Sequence, residues 1–169
     1  MSKAFTREDD SPEFPEGPRR VSPLPPGAKN YVTPGGLERM RAELERLQRE
    51  RSQAAGADGE PESARRAVQS FEQRLAYLHE SLRTAEVVAP PPPPHEEVRF
   101  GATVRVRDRK GVETGYRLVG VDETDLDRDW VSWCSPIARA LLRRRLGEKV
   151  RFRFPAGEEE LEIVAISFD

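Results

Sequence analysis

Residues 37–85 read LERMRAELERLQRERSQAAGADGEPESARRAVQSFEQRLAYLHESLRTA, and their periodicity decides the fold. Leu37, Met40, Leu44, Leu47 and, past Arg51, Ala54 form one apolar stripe. Ala64, Val68, Phe71, Leu75, Leu78, Leu82 and Ala85 form a second. Both step alternately by three and four residues, the spacing of a coiled-coil seam. Between them lies Gly56-Ala57-Asp58-Gly59-Glu60-Pro61-Glu62, which no helix crosses unbroken. The simplest object that fits is an antiparallel helical hairpin with acids at its tip. Counted back from the turn, Leu47 should meet Leu75, Leu44 Leu78, Met40 Leu82 and Leu37 Ala85. Arms of roughly 25 residues would extend about 35–40 Å.

The flanks carry start and stop signals. Thr33 suits the N-cap of the first helix and Pro34 its first position, while Gly35 and Gly36 weaken the first turn. The outer faces carry Arg39, Arg41, Glu43, Glu45, Arg46, Arg49 and Glu50, with Glu45 and Arg49 four apart as in a solvated helix face. The second helix is expected to run from Pro61 to about Val88. Residues 90–94 are an unbroken proline run, which ends the helix and makes a stiff extended spacer about 15 Å long. Residues 1–29 hold six prolines and almost no aliphatic side chains, so they read as a disordered tail. The expected division is a tail over 1–29, a hairpin over 30–89, a linker over 90–95 and a compact unit over 96–169.

Composition bounds the rest. The 169 residues are 34% charged and 36% hydrophobic, too polar for one compact core, but suited to a small globular domain plus an exposed helical element. The net charge of -2 does not favour nucleic acid as a direct partner. Cys134 is the one cysteine, which excludes an internal disulfide and any all-cysteine metal cluster. No stretch reads as a signal peptide or a membrane span, so a cytoplasmic, monomeric protein is expected.

Residues 96–169 alternate. Val98–Asp108 reads as a strand that turns at Arg109-Lys110-Gly111, with Val112–Asp122 returning. An acidic loop follows over 122–127, then a short strand at Trp130-Val131-Ser132-Trp133. Ser135 and Pro136 offer an N-cap and first-position proline for a helix over Ile137–Arg145, stopped by Gly147. Val150–Phe154 and Glu160–Ile166 close the sheet as a hairpin. The two tryptophans are three apart, so one is expected in the core and the other on the surface. His79 and His95 have no ligand cluster, and Cys134 has no histidine partner for nucleophilic chemistry.

These residues resemble the Gre family of transcript-cleavage factors. Tyr31-Val32-Thr33-Pro34-Gly35-Gly36 is similar to the family's entry into its first helix. Tyr116-Arg117-Leu118-Val119-Gly120, then Asp122-Glu123, then Val131-Ser132 and Ser135-Pro136-Ile137-Ala138-Arg139-Ala140-Leu141-Leu142 is similar to its C-terminal domain almost position for position. The resemblance implies an α+β chain: an N-terminal antiparallel coiled coil and a β-rich C-terminal domain of FKBP-like fold. It implies a partner, RNA polymerase, whose secondary channel admits the coiled coil while the C-terminal domain sits at the rim. Contact with nascent RNA and DNA is then indirect, within the elongation complex. It implies docking through Asp122, Glu123, Ser135 and Pro136. It also implies that acids at the tip help hold a Mg²⁺ of the polymerase active site, so that the polymerase cleaves backtracked RNA. The factor has no catalytic residues of its own and no stably bound cofactor.

Two departures from the family pattern bear on this. The family tip reads Gly-Asp and, two residues on, Glu-Asn-Ala. Here Gly59-Glu60-Pro61-Glu62-Ser63-Ala64 stands in that place, so the candidate ligands are Asp58, Glu60 and Glu62. Mg²⁺ tolerates little displacement of its ligands. The arms are also about one heptad shorter each than the family's, or about 10 Å of reach. The tip acids therefore carry two readings: metal ligation, or helix capping and solubility at a helix N-terminus. Two functions follow, stimulated cleavage or occupancy of the channel without it. A peptidyl-prolyl isomerase is a remote alternative, since a fold does not carry its function and the C-terminal unit has few aromatic residues.

Overall fold

The computed structural model describes residues 24–55, 62–154 and 157–168. Two helices come first: α1 (Pro34–Ala55) and α2 (Glu62–Thr84). Thr33 caps α1, its Oγ1 accepting from Gly36 N at 3.0 Å, with Pro34 at the first position as expected. The helices run antiparallel. Val32, Met40, Leu47, Leu75 and Leu78 are buried between them, with Leu37, Leu44, Phe71, Leu82 and Ala85 packed around. Met40 Sδ lies 3.8 Å from Ser81 Oγ, one residue from the expected Leu82. A bidentate pair, Arg74 to Glu43 at 2.9 and 3.1 Å, bridges the helices beside the seam. Arg51, at a seam position, is exposed.

The second helix stops earlier than the periodicity suggests. It ends at Thr84, and Ala85–Val87 form a strand, β2, parallel to β1 (Asn30–Val32). The chain entering the hairpin pairs there with the chain leaving it. Asn30 Nδ2 donates to Ser81 O at 3.1 Å and to Thr84 Oγ1 at 3.2 Å, taking groups at the helix C-terminus. Helix periodicity cannot register this pairing, because the competing partner is more than fifty residues away.

The second unit is a five-stranded sheet with order β5-β4-β3-β7-β6: β3 (Thr103–Arg107), β4 (Glu113–Val119), β5 (Trp130–Ser132), β6 (Lys149–Phe154) and β7 (Gly157–Ser167). Only the β4–β5 pairing is parallel. Helix α3 (Pro136–Leu141) packs on one face. Val104, Val106, Leu118, Leu161 and Ile163 from the strands meet Ile137, Ala138 and Leu141 from α3 in one core. The opposite face is striped by charge. Lys149, Arg151 and Arg153 on β6 stand opposite Glu162, Glu160 and Glu158 on β7, and Arg107 on β3 stands opposite Glu162 on the other side. No helix among the described residues is long and apolar enough to cross a membrane.

Other expected boundaries shift as well. The strand expected from Val98 begins at Thr103, because Gly101 takes a left-handed φ of 85° in a turn whose Ala102 N donates to Arg99 O. The helix expected to reach Arg145 ends at Leu141. Arg143 is left-handed with φ 65°, and residues 143–146 bond the extended segment at 96–98 instead. Gly147 therefore stops no helix; with φ 83° it turns the chain into β6. The tryptophans do not divide into core and surface. Both are half-buried, because the hairpin base covers what would be open sheet.

Candidate functional site

The site is built where the sheet meets the base of the hairpin. Strand β4 ends at Val119, and Gly120 leads into a single 3-10 turn, Val121–Glu123. That turn places two adjacent carboxylates against the two helices, one on each.

Glu123 serves α1. Its side chain is 1% exposed. One oxygen accepts from Thr33 N at 2.9 Å and Gly120 N at 3.0 Å. The other accepts from Thr33 Oγ1 and from Arg39 Nη2 at 3.1 Å. A buried carboxylate needs donors of this number and kind to replace its water. The approach also needs two glycines. A Cβ on Gly36 would stand 2.0 Å from Glu123 Oε1, and one on Gly120 2.4 Å from Tyr31 O.

Asp122 serves α2. It accepts from Tyr77 Oη and from Ser81 Oγ. Burial, then the hydrogen bond to Asp122, raises the Tyr77 pKa well above its ordinary 10.0, which keeps the phenol in its donor form. Arg74 lies over the Tyr77 ring at 5.3 Å while holding Glu43. A third contact is aromatic: Tyr31 of β1 sits 5.7 Å from Phe100 and 5.2 Å from Trp133, both on the sheet unit. Beside the clasp, Trp130 is surrounded by the guanidinium groups of Arg117, Arg39 and Arg128 at 4.8–5.4 Å.

The structure separates the four residues expected at a docking surface. Asp122 and Glu123 turn into the clasp, and the Glu123 carboxylate is not available to an outside partner. Ser135 and Pro136 lie at the start of α3. Ser135 Oγ accepts from Ala138 N at 3.2 Å, and Pro136 is exposed. Pro136, Ala140, Arg151, Phe152, Arg153 and Glu158 line an open groove of about 360 Å³ between α3 and β6. Arg153 and Glu158, cross-strand partners on β6 and β7, pair at its edge at 2.8 Å. Cys134 next door is half-buried, and burial pushes its thiol pKa up, which suits a packing role. Ser135→Ala removes the cap and should cost about 1 kcal/mol, read as a lower urea midpoint with an unchanged slope.

Of the expected tip ligands, Asp58 and Glu60 lie outside the described residues. Glu62 opens α2, but its side chain lies outside them too. Among the described residues no group of three or more His, Cys, Asp or Glu could hold a metal ion. His79 is exposed, and His95 rests on Phe168 with ring centroids 4.7 Å apart.

Comparison with known proteins places this architecture. The family model described as "Transcription elongation factor, GreA/GreB, C-term" matches residues 93–168. The transcription elongation factor GreB of Neisseria meningitidis serogroup A is 34% identical, over 83% of this chain and 94% of its own length. The chain belongs to the GreA/GreB family. GreA of Anaeromyxobacter is 35% identical over 81% of this chain and 91% of its own. Among solved structures, GreA factor homolog 1 of Thermus thermophilus is 24% identical, with a TM-score of 0.40, over 83% of this chain and 99% of that one.

The GreB match spans 154 positions, yet 83% of 169 residues is about 140, so about 14 matched positions have no residue here. The GreA match behaves alike, with 151 positions against about 137 residues.

Sequence reasoning singled out Asp122 and Glu123 in this Gre-family chain but did not register the helices they bond. A signal was present in the glycines. Gly36, inside the first turn of a helix, and Gly120, directly after a strand, both stand where a side chain is locally tolerable. Each is required by what crosses to it from the other unit.

Proposed function

We propose that this chain binds RNA polymerase at its secondary channel and modulates transcript elongation by occupying it. Residues 96–169 act as an FKBP-like domain at the rim, residues 30–89 as a coiled-coil probe within, and residues 90–95 as the linker. The observation that carries this reading is the clasp. A hairpin gripped at its base by Glu123 and Asp122 projects as a rod from a body that offers a separate groove at Pro136. The names of the relatives, transcription elongation factors, supply the process. Ser135, Pro136 and the groove beside them are the docking surface. Asp122 and Glu123 serve docking indirectly, by fixing the rod to that surface. The factor is a monomer of the cytoplasm, with no catalytic residues of its own. It meets RNA and DNA only through the elongation complex.

Occupancy is favoured over stimulated cleavage by the arms, which the sequence resemblance reads as about one heptad shorter each than the family's, or about 10 Å of reach at the helical rise. The cleavage reading rests on Asp58, Glu60 and Glu62 as oxygen ligands for a polymerase Mg²⁺, an ion that activates water for attack on a phosphodiester.

A transcript-cleavage assay on stalled complexes separates the two. Occupancy predicts binding to the polymerase and altered elongation, with no cleavage above that of the polymerase alone. Strong cleavage that disappears in the Asp58→Ala, Glu60→Ala double variant would establish the other reading. Failure to bind the polymerase at all would overturn both.

A further inference from the structure

The groove between α3 and β6 joins an apolar lining to a cationic rim. Pro136 and Ala140, four apart on α3, line it together with Phe152 of β6, which packs on the sheet core. Arg151 and Arg153 flank Phe152, and Arg139 precedes Ala140; all three arginines are exposed. The fold balances this charge only in part. Arg153 pairs with Glu158, but Glu160, opposite Arg151, pairs with Arg109 at 3.3 Å instead. Among the described residues Arg139 and Arg151 make no ion pair. Residues 139–153 as a whole hold seven basic side chains and one acid, Glu148. A partner that complements this groove is acidic, with an apolar side chain among its charges.

Residues 8–16 of the same chain, EDDSPEFPE, have that composition. They hold five acids, no base, and Phe14 between Pro12 and Pro15. Proline favours the extended form in which such segments enter grooves. It also withholds a backbone donor, so the contact is made by side chains and not by a sixth strand on the β6 edge. The tether is short enough. Tyr31 sits 5.2 Å from Trp133, three residues before Pro136. The described chain enters Tyr31 from Leu24 through a turn in which Ala28 N donates to Pro25 O at 2.9 Å. Ten residues separate Leu24 from Phe14, about 30 Å at polyproline rise. A tethered segment acts at an effective concentration of about millimolar, so a contact too weak to hold separate molecules together still forms.

We propose that residues 8–16 dock in cis in the α3–β6 groove, with Phe14 against Phe152 and Pro136 and the flanking acids against Arg151, Arg153 and Arg139. The segment shields the groove. This consequence rests on the proposed polymerase reading, in which the same groove is the docking surface: the polymerase then has to displace the segment to bind. Exposed charges carry half of the contact, so salt loosens it.

Paramagnetic broadening in nuclear magnetic resonance of the full chain tests this. A nitroxide at Ser11→Cys, with Cys134→Ser as background, should remove at least about half the intensity of the Ala140, Arg151 and Arg153 amides at low salt, and leave Glu72 on α2 unaffected. Phe14→Ala, Glu13→Gln with Glu16→Gln, or about 1 M salt should each restore it. Without any label, Phe14→Ala alone should shift the same three amides. Full intensity at the groove, or broadening that Phe14→Ala leaves unchanged, would overturn the proposal. So would broadening that passes from labelled to unlabelled chains in an equal mixture, which would place the segment on a second copy. Phe14→Ala should also tighten polymerase binding at least about threefold, as the shielded fraction is released. Unchanged affinity overturns the shielding. A parent and variant that both bind no polymerase overturn the functional reading and leave the cis contact to stand on the resonance result.

Discussion

Gly120→Ala should cost the protein about 3 kcal/mol, although it adds one methyl group. The added Cβ would stand 2.4 Å from the backbone oxygen of Tyr31 and 2.8 Å from Glu123 Oε2. The first of these is main chain and cannot rotate away. Either β1 lifts from the sheet unit or the Glu123 carboxylate is displaced. Displacement strands Thr33 N, Gly120 N and one donor of Arg39. Breaking a buried charge pair costs about 3–5 kcal/mol, and the half-exposed Arg39 places this case at the lower end. Gly36→Ala should act alike, since its Cβ would stand 2.0 Å from Glu123 Oε1. Gly115→Ala is the control. A Cβ there meets nothing within 4 Å, so the change should be neutral or slightly stabilising. Urea midpoints of the three variants, at unchanged slope, check the ordering.

Leu78→Ala should act as strongly by another route. Leu78 is 0% exposed and sits among Val32, Met40, Leu47 and Leu75. Removing a buried leucine to alanine costs about 2–5 kcal/mol, more where surrounding atoms cannot collapse into the space. Two helices in contact along one seam have no second layer to close the gap from behind. The expected value therefore lies in the upper half of that range. Helical circular dichroism should fall at a lower temperature than in the parent, and tryptophan emission should shift with it, because the hairpin base covers Trp130 and Trp133. Leu37→Ala, at the partly buried margin of the same cluster, should cost visibly less.

The seam was legible because its information is local. Three-and-four spacing from Leu37 to Leu47 and from Phe71 to Leu82 places the same side chains inside that the structure buries. Strand alternation worked for the same reason: Val104 and Val106 point inward, and Arg105 and Arg107 outward. The end of α2 was not legible, because Asn30 and β1 compete for its last turn from the far side of the hairpin. Nor was the end of α3, whose next residues bond a segment more than forty positions earlier. The clasp failed to show for the strongest form of this reason. Asp122-Glu123 in an acidic loop reads as solvated surface until Thr33, Arg39, Tyr77 and Ser81 arrive from another unit to use it. Trp130 and Trp133 were misjudged with it, since their cover also comes from the hairpin base.

The charge stripes on the outer sheet face bear on how copies of this protein tolerate one another. Strand β6 is an edge strand, and its outward side chains are Lys149, Arg151 and Arg153. Within the chain, each has a glutamate of β7 opposite. A second copy laid antiparallel along the open edge would bring its own β6, and cation would face cation at the alternate positions. Like charges directly opposite destabilise a strand pair, and lysine or arginine on an exposed edge is a recognised deterrent to runaway sheet growth. A net charge of only -2 offers little bulk repulsion between molecules. The safeguard against self-association is therefore carried by the pattern of charge along one strand, and a crowded solution would test it there first.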